Sequence, residues 1–341
     1  GQMSHANVSV FVPHIGCPHQ CSFCNQRSIS GQQSAPTPAQ VRAVCEQALR
    51  ERRTQLEDTQ LAFFGGSFTA IERGYMVSLL EAVQPYLGEG GFSGIRISTR
   101  PDAIGEEILE LLKRYGVNAI ELGIQSMKDR VLAANHRGHT AQDTVRAARL
   151  IEQAGIEFGA QMMTGLYQSS VQDDRETAQE IADLHPATVR IYPTIVLTGT
   201  ELAEQFDRGD YLPPSLEEST ALCAELLLFF EQQGIRVIRL GLHAQESLQQ
   251  GMIAGPYHPA FRELCEARLY RENALEQMQT FAPGIPLDLW VGEGCSSKMA
   301  GQRRCNLIEL GQRNPLKIRT RADLHPFEVL VTEATKRRLQ P

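Results

Sequence analysis

The stretch CPHQCSFC, residues 17–24, sets three cysteines four and then three positions apart in a chain that holds only 8 cysteines in 341 residues. It follows directly on a short β-rich run, residues 8–12, that ends at Pro13. So few cysteines in a chain this long do not make a disulfide scaffold, and a tight cluster of them binds metal or carries redox chemistry. Three readings are open. Three thiolates wrapped around one centre, with loop amides donating to sulfur, suit an iron-sulfur cluster and leave one iron without a protein ligand. A structural zinc site needs four protein ligands, and His14 or His19 would complete it. A redox pair would use one CxxC and leave Cys17 idle.

Outward from that loop, strand-like and helix-like segments alternate. Residues 41, 44, 45, 48 and 49 recur at helical spacing, which puts Cys45 on a buried face as a small hydrophobe. Residues 61–64 read as a strand closed by Gly65 and Gly66, 71–86 as a helix, 95–99 as a strand and 103–115 as a helix. Strands at 119–124, 156–163 and 188–195 follow, with a helix at 171–184. Six strands with crossovers long enough for parallel pairing predict an α/β fold, a wound parallel sheet or partial (β/α)6 TIM-like barrel, with active residues at the carboxyl ends of the strands.

Past residue 200 the rhythm changes. Pro213 and Pro214 lead into a helix to about residue 233, with Ser215 as its cap and Glu218 three residues later. A short strand at 235–240, a Pro- and Gly-rich stretch at 251–259 and a helix to about residue 278 come next, then strand, helix, strand and a final helix. The expected division is a core at 1–245, a connecting loop and helix at 246–281 and a small C-terminal α/β extension at 282–341. No run of about eighteen apolar residues occurs, so no membrane span is expected. The first residues carry no signal-peptide apolar stretch, and a cytoplasmic location is expected. The net charge of −7 gives no global attraction for nucleic acid, although a groove needs only a few well-placed Lys and Arg.

Cx3Cx2C directly after a first strand resembles the signature of the radical S-adenosylmethionine (SAM) enzymes. The resemblance implies that Cys17, Cys21 and Cys24 carry a 4Fe-4S cluster whose fourth iron is chelated by SAM, and that one-electron cleavage of SAM yields a 5'-deoxyadenosyl radical that abstracts hydrogen from a substrate. Phe64-Gly65-Gly66-Ser67-Phe68, at the end of the second strand, matches the position where this superfamily binds the methionyl amino group through backbone. Ser98-Thr99-Arg100-Pro101-Asp102 is similar to a segment of the Elongator catalytic subunit's radical-SAM core, with Ser98 where that family has Glu. Arg100 and Asp102 read equally well as a local ion pair and helix cap. Glu121-Leu122-Gly123-Ile124-Gln125-Ser126 and Asn135-His136-Arg137-Gly138-His139-Thr140 resemble the same family and, more loosely, the coproporphyrinogen dehydrogenases. In those enzymes a Gln at this strand end and an Arg twelve residues later contact SAM, which implies SAM binding by Gln125 and Arg137. Met162-Met163-Thr164-Gly165-Leu166 would pass under the adenine, and Gln161 stands where the coproporphyrinogen enzymes have an acidic residue. The expected cofactor-binding set is therefore Gly65, Gly66, Ser67, Ser98, Gln125 and Arg137.

The resemblance covers about residues 8–245 and leaves no room for the Elongator subunit's acetyltransferase domain. It implies hydrogen abstraction from an RNA nucleoside, with tRNA as partner and an electron donor such as flavodoxin or ferredoxin. Two other readings stand beside it: radical chemistry on a small metabolite or tetrapyrrole, and a zinc-stabilised RNA-binding adaptor without catalysis. Residues 255–259 read as part of a lid or as a turn between helices. Lys298-Met299-Ala300-Gly301-Gln302-Arg303-Arg304-Cys305-Asn306 is similar to the glycine loop of KH RNA-binding domains, with Arg304 in the second glycine's place, and otherwise reads as a basic helix.

Overall fold

The structure, a computed structural model, describes residues 6–13, 21–24, 34–51, 56–243 and 251–335. The chain groups into two compact units, Gly1–Pro213 with Ile235–Arg239 and Ala244–Gly255, and Pro214–Gly234 with Leu240–His243 and Pro256–Pro341. This grouping places the helix Leu216–Gln232 with the C-terminal residues, whereas the division at residues 245 and 281 had it in the core.

The first unit is built on β1 (Ala6–Val12), β2 (Thr59–Gly65), β3 (Gly94–Thr99), β4 (Val117–Gln125), β5 (Glu157–Thr164) and β6 (Thr188–Pro193). Between them run α1 (Pro38–Glu51), α2 (Arg73–Val83), α3 (Glu106–Arg114), α4 (Asp129–Ala134), α5 (Ala141–Gln153) and α6 (Val171–Asp183). Each of the six strands pairs in parallel with the next, from Val12 opposite Gly65 to Thr164 opposite Pro193. After β6 come β7 (Val196–Leu197), α7 (Glu201–Asp207), α8 (Leu216–Gln232) and β8 (Arg236–Leu240), and β8 joins the sheet beside β6. The strand order never reverses. Right-handed crossovers that always advance in one direction lay their helices on one face, so the sheet curls as a partial barrel and not as a doubly wound sheet. The expected partial barrel is the fold, with a seventh strand added to the expected six.

Strand alternation sorts the two faces. Ile95, Ile97, Ile120, Leu122, Ile124, Ala160, Met162, Val189 and Ile191 are completely buried. Removing each of the larger of these side chains from water contributes roughly 1.5–3 kcal/mol. The alternate positions, Arg96, Ser98, Glu121, Gly123, Gln125, Gln161, Arg190 and Tyr192, share the concave face and are polar or lack a side chain. On that face Glu121 lies buried between Arg96 (Nε to Oε2, 3.3 Å) and Arg190 (Nε to Oε1, 2.5 Å), and Arg96 also reaches Glu157 at 2.8 Å. Burial alone would raise the Glu121 pKa, but the two guanidiniums outweigh it and hold the carboxyl below its ordinary value. A Cβ at Gly159 would stand 2.9 Å from both Glu121 Cγ and Thr188 Oγ1, so this ionic layer requires glycine there.

Helix starts follow the chain's own caps. Thr140 with Asp143, Ser170 with Asp173 and Ser215 with Glu218 form capping boxes, the last as expected. The strand expected at 188–195 stops at Pro193, because Thr194 turns its amide and hydroxyl onto the Thr164 carbonyl at 2.9 and 2.7 Å. Cys45, Cys223 and Cys265 are fully buried, and burial pushes the Cys45 thiol up to about 12, as packing residues. No helix among the described residues is long and apolar enough to cross a membrane.

In the remaining chain β9 (Met252–Ala254) pairs antiparallel with β7. The second unit contains α8, α9 (Phe261–Met278), β10 (Leu287–Gly292), α10 (Ser296–Ala300), α11 (Cys305–Gly311), β11 (Leu316–Arg321) and β12 (Leu330–Glu333). Its sheet has the order β11-β10-β12, with β10 parallel to β11 and antiparallel to β12. After β11, where the expected order continued with a final helix, the described residues form the strand β12. Val329 and Val331 are buried on one face, and Thr332, the next residue and so on the opposite face, accepts through Oγ1 from Trp290 Nε1 at 2.9 Å, a period of two that fits a strand.

Candidate active site

The carboxyl ends of β2 to β5 and the cysteine turn after β1 surround one cleft. Its walls are Cys21, Phe23, Cys24, Gly65, Gly66, Ser67, Ser98, Thr99, Arg100, Gly123, Gln125, Arg137 and Gln161. Every expected site residue that lies within the described residues is in this lining. Cys17, with His14 and His19, lies outside them. No group of three His, Cys, Asp or Glu side chains placed to hold a metal ion occurs among the described residues.

The cysteine turn is tied down by its middle. Cys24 N–H donates to the Cys21 carbonyl at 3.2 Å, closing a turn over Ser22 and Phe23. Ser22 is completely buried, its hydroxyl donates to Asn135 Oδ1 at 2.8 Å, and its N–H donates to the Asn135 carbonyl at 3.1 Å. The Asn135 amide nitrogen in turn donates to the carbonyls of Val131 and Tyr167 at 2.8 and 2.9 Å. Phe23 packs on the apolar cluster of Val196, Leu202, Ala203 and Tyr211. Ser22 and Phe23 thus anchor the turn, while Cys21 and Cys24 on either side of them line the cleft.

At the end of β2, Gly65 takes φ 113°, and a Cβ there would come within 2.5 Å of the Val12 carbonyl and 2.6 Å of the Phe11 ring. Gly66 N–H donates to that same carbonyl at 2.8 Å, so glycine is what lets β2 run against the strand that launches the cysteine turn. Ser67 turns inward: its hydroxyl bonds Thr99 Oγ1 at 2.8 Å and accepts from Arg100 N–H at 3.0 Å. Ser98 is half-buried on the concave face, opposite Glu121 in register.

Gln125 ends β4 in an uncommon backbone state. Its φ is 64°, and Ser126 N–H returns to the Ile124 carbonyl at 2.8 Å, the geometry of a positive-φ γ-turn, which is rare and strained. The pairing of β4 with β5 slips at this point. His139 Nε2 holds the same Ile124 carbonyl at 3.1 Å from its other side. The Gln125 Oε1 atom is buried and has no hydrogen-bond partner among the described residues.

Arg137 is 8% exposed, with Nη2 donating to the Gly123 carbonyl at 2.7 Å and Nη1 reaching Cys21 Sγ at 3.5 Å. Its Nε is buried without a partner among the described residues. A Cβ at Gly123 would lie 2.7 Å from Arg137 Nη2, so the guanidinium occupies the room that the missing side chain leaves. Arg100 sits beneath it, bonded to Asp102 at 3.0 Å and, through Nη2, to the Arg137 carbonyl. The ion pair expected of Arg100 and Asp102 exists, and Arg100 also lines the cleft.

Sequence reasoning missed Ser22 and Asn135, which position the cysteines, and Thr99, which knots β2 to β3. The Asn135 signal was present in the quoted motif, but a hydrogen bond to a residue 113 positions away leaves no local pattern. His136, exposed and paired with Glu201 at 3.0 Å, stands apart from the cleft lining. His258 Nδ1 accepts from Ala260 N–H at 2.9 Å, which fits the turn reading of residues 255–259.

Known proteins are similar to this chain in sequence and fold. The Radical SAM superfamily matches residues 11–181, and the Radical_SAM C-terminal domain matches residues 186–271. The chain is 28% identical over 254 residues to a tRNA uridine(34) acetyltransferase of Methanocaldococcus infernus, covering 63% of this chain and 47% of that protein. It is 30% identical over 180 residues to Elongator complex protein 3 of Homo sapiens, covering 52% of this chain and 32% of that one. The chain therefore spans less than half the length of either relative. The structure of the archaeal Methanocaldococcus infernus Elp3 with an N-terminal deletion (1–46) superposes with a TM-score of 0.61 at 24% identity, covering 81% of this chain and 62% of that one, a likeness of fold. With the superfamily signature matched across half of its length and the barrel, the cysteine turn and the strand-end cleft in place, this chain belongs to the radical SAM superfamily.

Proposed function

We propose that this radical SAM enzyme holds its 4Fe-4S cluster on Cys17, Cys21 and Cys24, binds SAM across the ends of β2 to β4, and abstracts a hydrogen atom from an RNA nucleoside, in the first place of tRNA. The observation that carries the cofactor reading is the buried Gln125 Oε1, unpartnered among the described residues, on a strained turn in the same cleft wall as Cys21, Cys24 and Arg137. An orphaned buried acceptor and a sparsely populated backbone state both cost free energy, and they persist where a ligand is to be met.

The residues fit that group. When bound, the cluster and SAM supply, on one-electron reduction, a carbon radical able to take hydrogen from an unactivated position. Gln125 Oε1 accepts from a hydroxyl of the nucleoside part, and the backbone of Gly65 and Gly66 offers polar groups at close approach. Arg137 places a fixed positive charge beside Cys21 Sγ and stands available to a carboxylate through Nε and, after rotation, through its terminal nitrogens. Ser98 faces the cleft with a half-buried hydroxyl, while the Ser67 hydroxyl acts by fixing Thr99 and Arg100. Phe23, packed on the Tyr211 cluster, gives the cleft an apolar wall beside Cys21 and Cys24.

We assign the radical step to residues 1–245, the connection to 246–281 and a separate role to 282–341, with a flavodoxin- or ferredoxin-type donor in the cytoplasm. The RNA assignment draws on the tRNA-acting relatives named above, which this chain matches over its radical SAM portion. Reduced, reconstituted protein given deuterium-labelled tRNA should move the label into 5'-deoxyadenosine. Label arising only from a small-molecule extract, with tRNA inert, overturns the RNA substrate.

A further inference from the structure

Residues 287–321 fold as strand, helix, loop, helix, strand. β10 and β11 pair in parallel, both helices pack on β11, and the loop at residues 301–304 joins α10 to α11. The backbone of that loop is unusual. Gly301, Arg303 and Arg304 take φ 80°, 53° and 60°, so two successive arginines stand in the left-handed region that favours glycine. A Cβ at Gly301 would meet Cys305 Sγ at 2.7 Å, which makes glycine obligatory there. The buried Asn306 side chain donates to the Ala267 and Met299 carbonyls at 2.9 and 3.1 Å and fixes both ends of the loop. The strain is therefore held by the fold and presented outward.

Charge concentrates on the same element. Between residues 295 and 321 the sequence has seven Lys and Arg against the single acid Glu309, in a chain whose net charge is −7. Four of the seven are engaged: Lys298 with Glu266, Arg319 with Asp288, Arg321 with Asp323, and Arg313 with the carbonyls of Met278 and Phe281. Arg303, Arg304 and Lys317 are exposed and have no acidic partner among the described residues. Lys317 lies on β11, an edge strand, and Ile308, one turn into α11, is 64% exposed. A rigid loop between two helices, a basic edge strand and an exposed apolar side chain together suit a sugar-phosphate backbone with an unstacked base.

We propose that residues 301–304, with Lys317 and Ile308, form a KH-like clamp for single-stranded RNA. The clamp lies outside both superfamily matches. It uses the backbone conformation of a glycine loop, with Arg304 adding a charge where such loops have their second glycine. The inference deepens the RNA reading of the enzyme and is tested apart from it.

The experiment measures anisotropy of a fluorescein-labelled single-stranded RNA against the full chain. Arg303→Glu with Arg304→Glu should weaken binding by about tenfold or more and lower the slope of log K against log salt by about 1.4, two phosphate contacts' worth for a single strand. Arg304→Gly should keep more than half of the binding energy, since the backbone path is retained, and both variants should cleave SAM at the parent rate without RNA. Unchanged RNA affinity in the double variant overturns the clamp, as does displacement of the RNA by polyglutamate at equal charge concentration, which would mark an acidic protein partner. Loop variants that bind RNA as the parent does, while labelled tRNA still yields labelled 5'-deoxyadenosine, would refute the clamp and leave the substrate standing. Loop-dependent binding with no label transfer would do the reverse.

Discussion

Gln125 combines a positive-φ turn with a buried carboxamide oxygen that has no partner among the described residues. Neither feature helps the empty fold. Removing the side chain therefore sacrifices no hydrogen bond from that oxygen, and the account expects Gln125→Ala to change unfolding stability by no more than about 0.5 kcal/mol. The same change should weaken SAM binding to the reconstituted protein by roughly three- to tenfold, the worth of one hydrogen bond. Calorimetric titration beside a denaturant melt checks both, and a destabilised variant with unchanged SAM affinity would make Gln125 a structural residue. Residues of this kind were legible because they sit in short motifs at strand ends. Asn135, Ser22 and Thr99 were not, since their work is done across the sheet, where sequence spacing carries no information. Ser98 and Ser67 show a third case: both were found by position, and only the geometry separates a hydroxyl facing the cleft from one knotted to Thr99 and Arg100.

Among elements, the loop after β5 has the clearest pH dependence. Asp174 on α6 is 3% exposed and receives the Gly165 N–H at 3.0 Å and the Ser169 hydroxyl at 2.7 Å, while Tyr211 donates to the Gly165 carbonyl at 2.6 Å. Burial raises its pKa to about 6 from 3.8, only partly offset by those two hydrogen bonds. The folded carboxyl thus holds its proton more tightly than the unfolded one, so stability declines as pH rises from about 4 through about 6 and is level beyond. Thermal melts at about pH 4.5 and about pH 7.5 should show Asp174→Asn gaining on the parent by about 2 kcal/mol toward the higher pH. A gap that stays constant would contradict the buried, proton-retaining carboxyl. The strands themselves were readable to within a few residues, because β-branched runs bounded by glycine and proline carry their own signal. β7 and β9 were not, being two and three residues long. β12 was not expected either, since four residues hold too little of either period.

Across the whole molecule, the partial barrel could be inferred because parallel strands with long crossovers admit few arrangements. The strand at 235–240 was read as such, but not as the seventh of the sheet, as α8 of the other compact unit intervenes in the sequence before β8. The acidic total charge gives no hint of the basic segment at residues 298–321, which shows only in the local distribution of Lys and Arg and was read there as a glycine loop or basic helix. The proposed function depends on three thiolates presenting an iron that a sulfonium compound can bind. The decisive measurement is electron paramagnetic resonance of the anaerobically reconstituted, reduced protein, with and without SAM. A 4Fe-4S signal that shifts on adding SAM, and disappears when Cys17, Cys21 and Cys24 are replaced by alanine, is the predicted result. Stoichiometric zinc in place of iron, or a cluster signal indifferent to SAM, would contradict it.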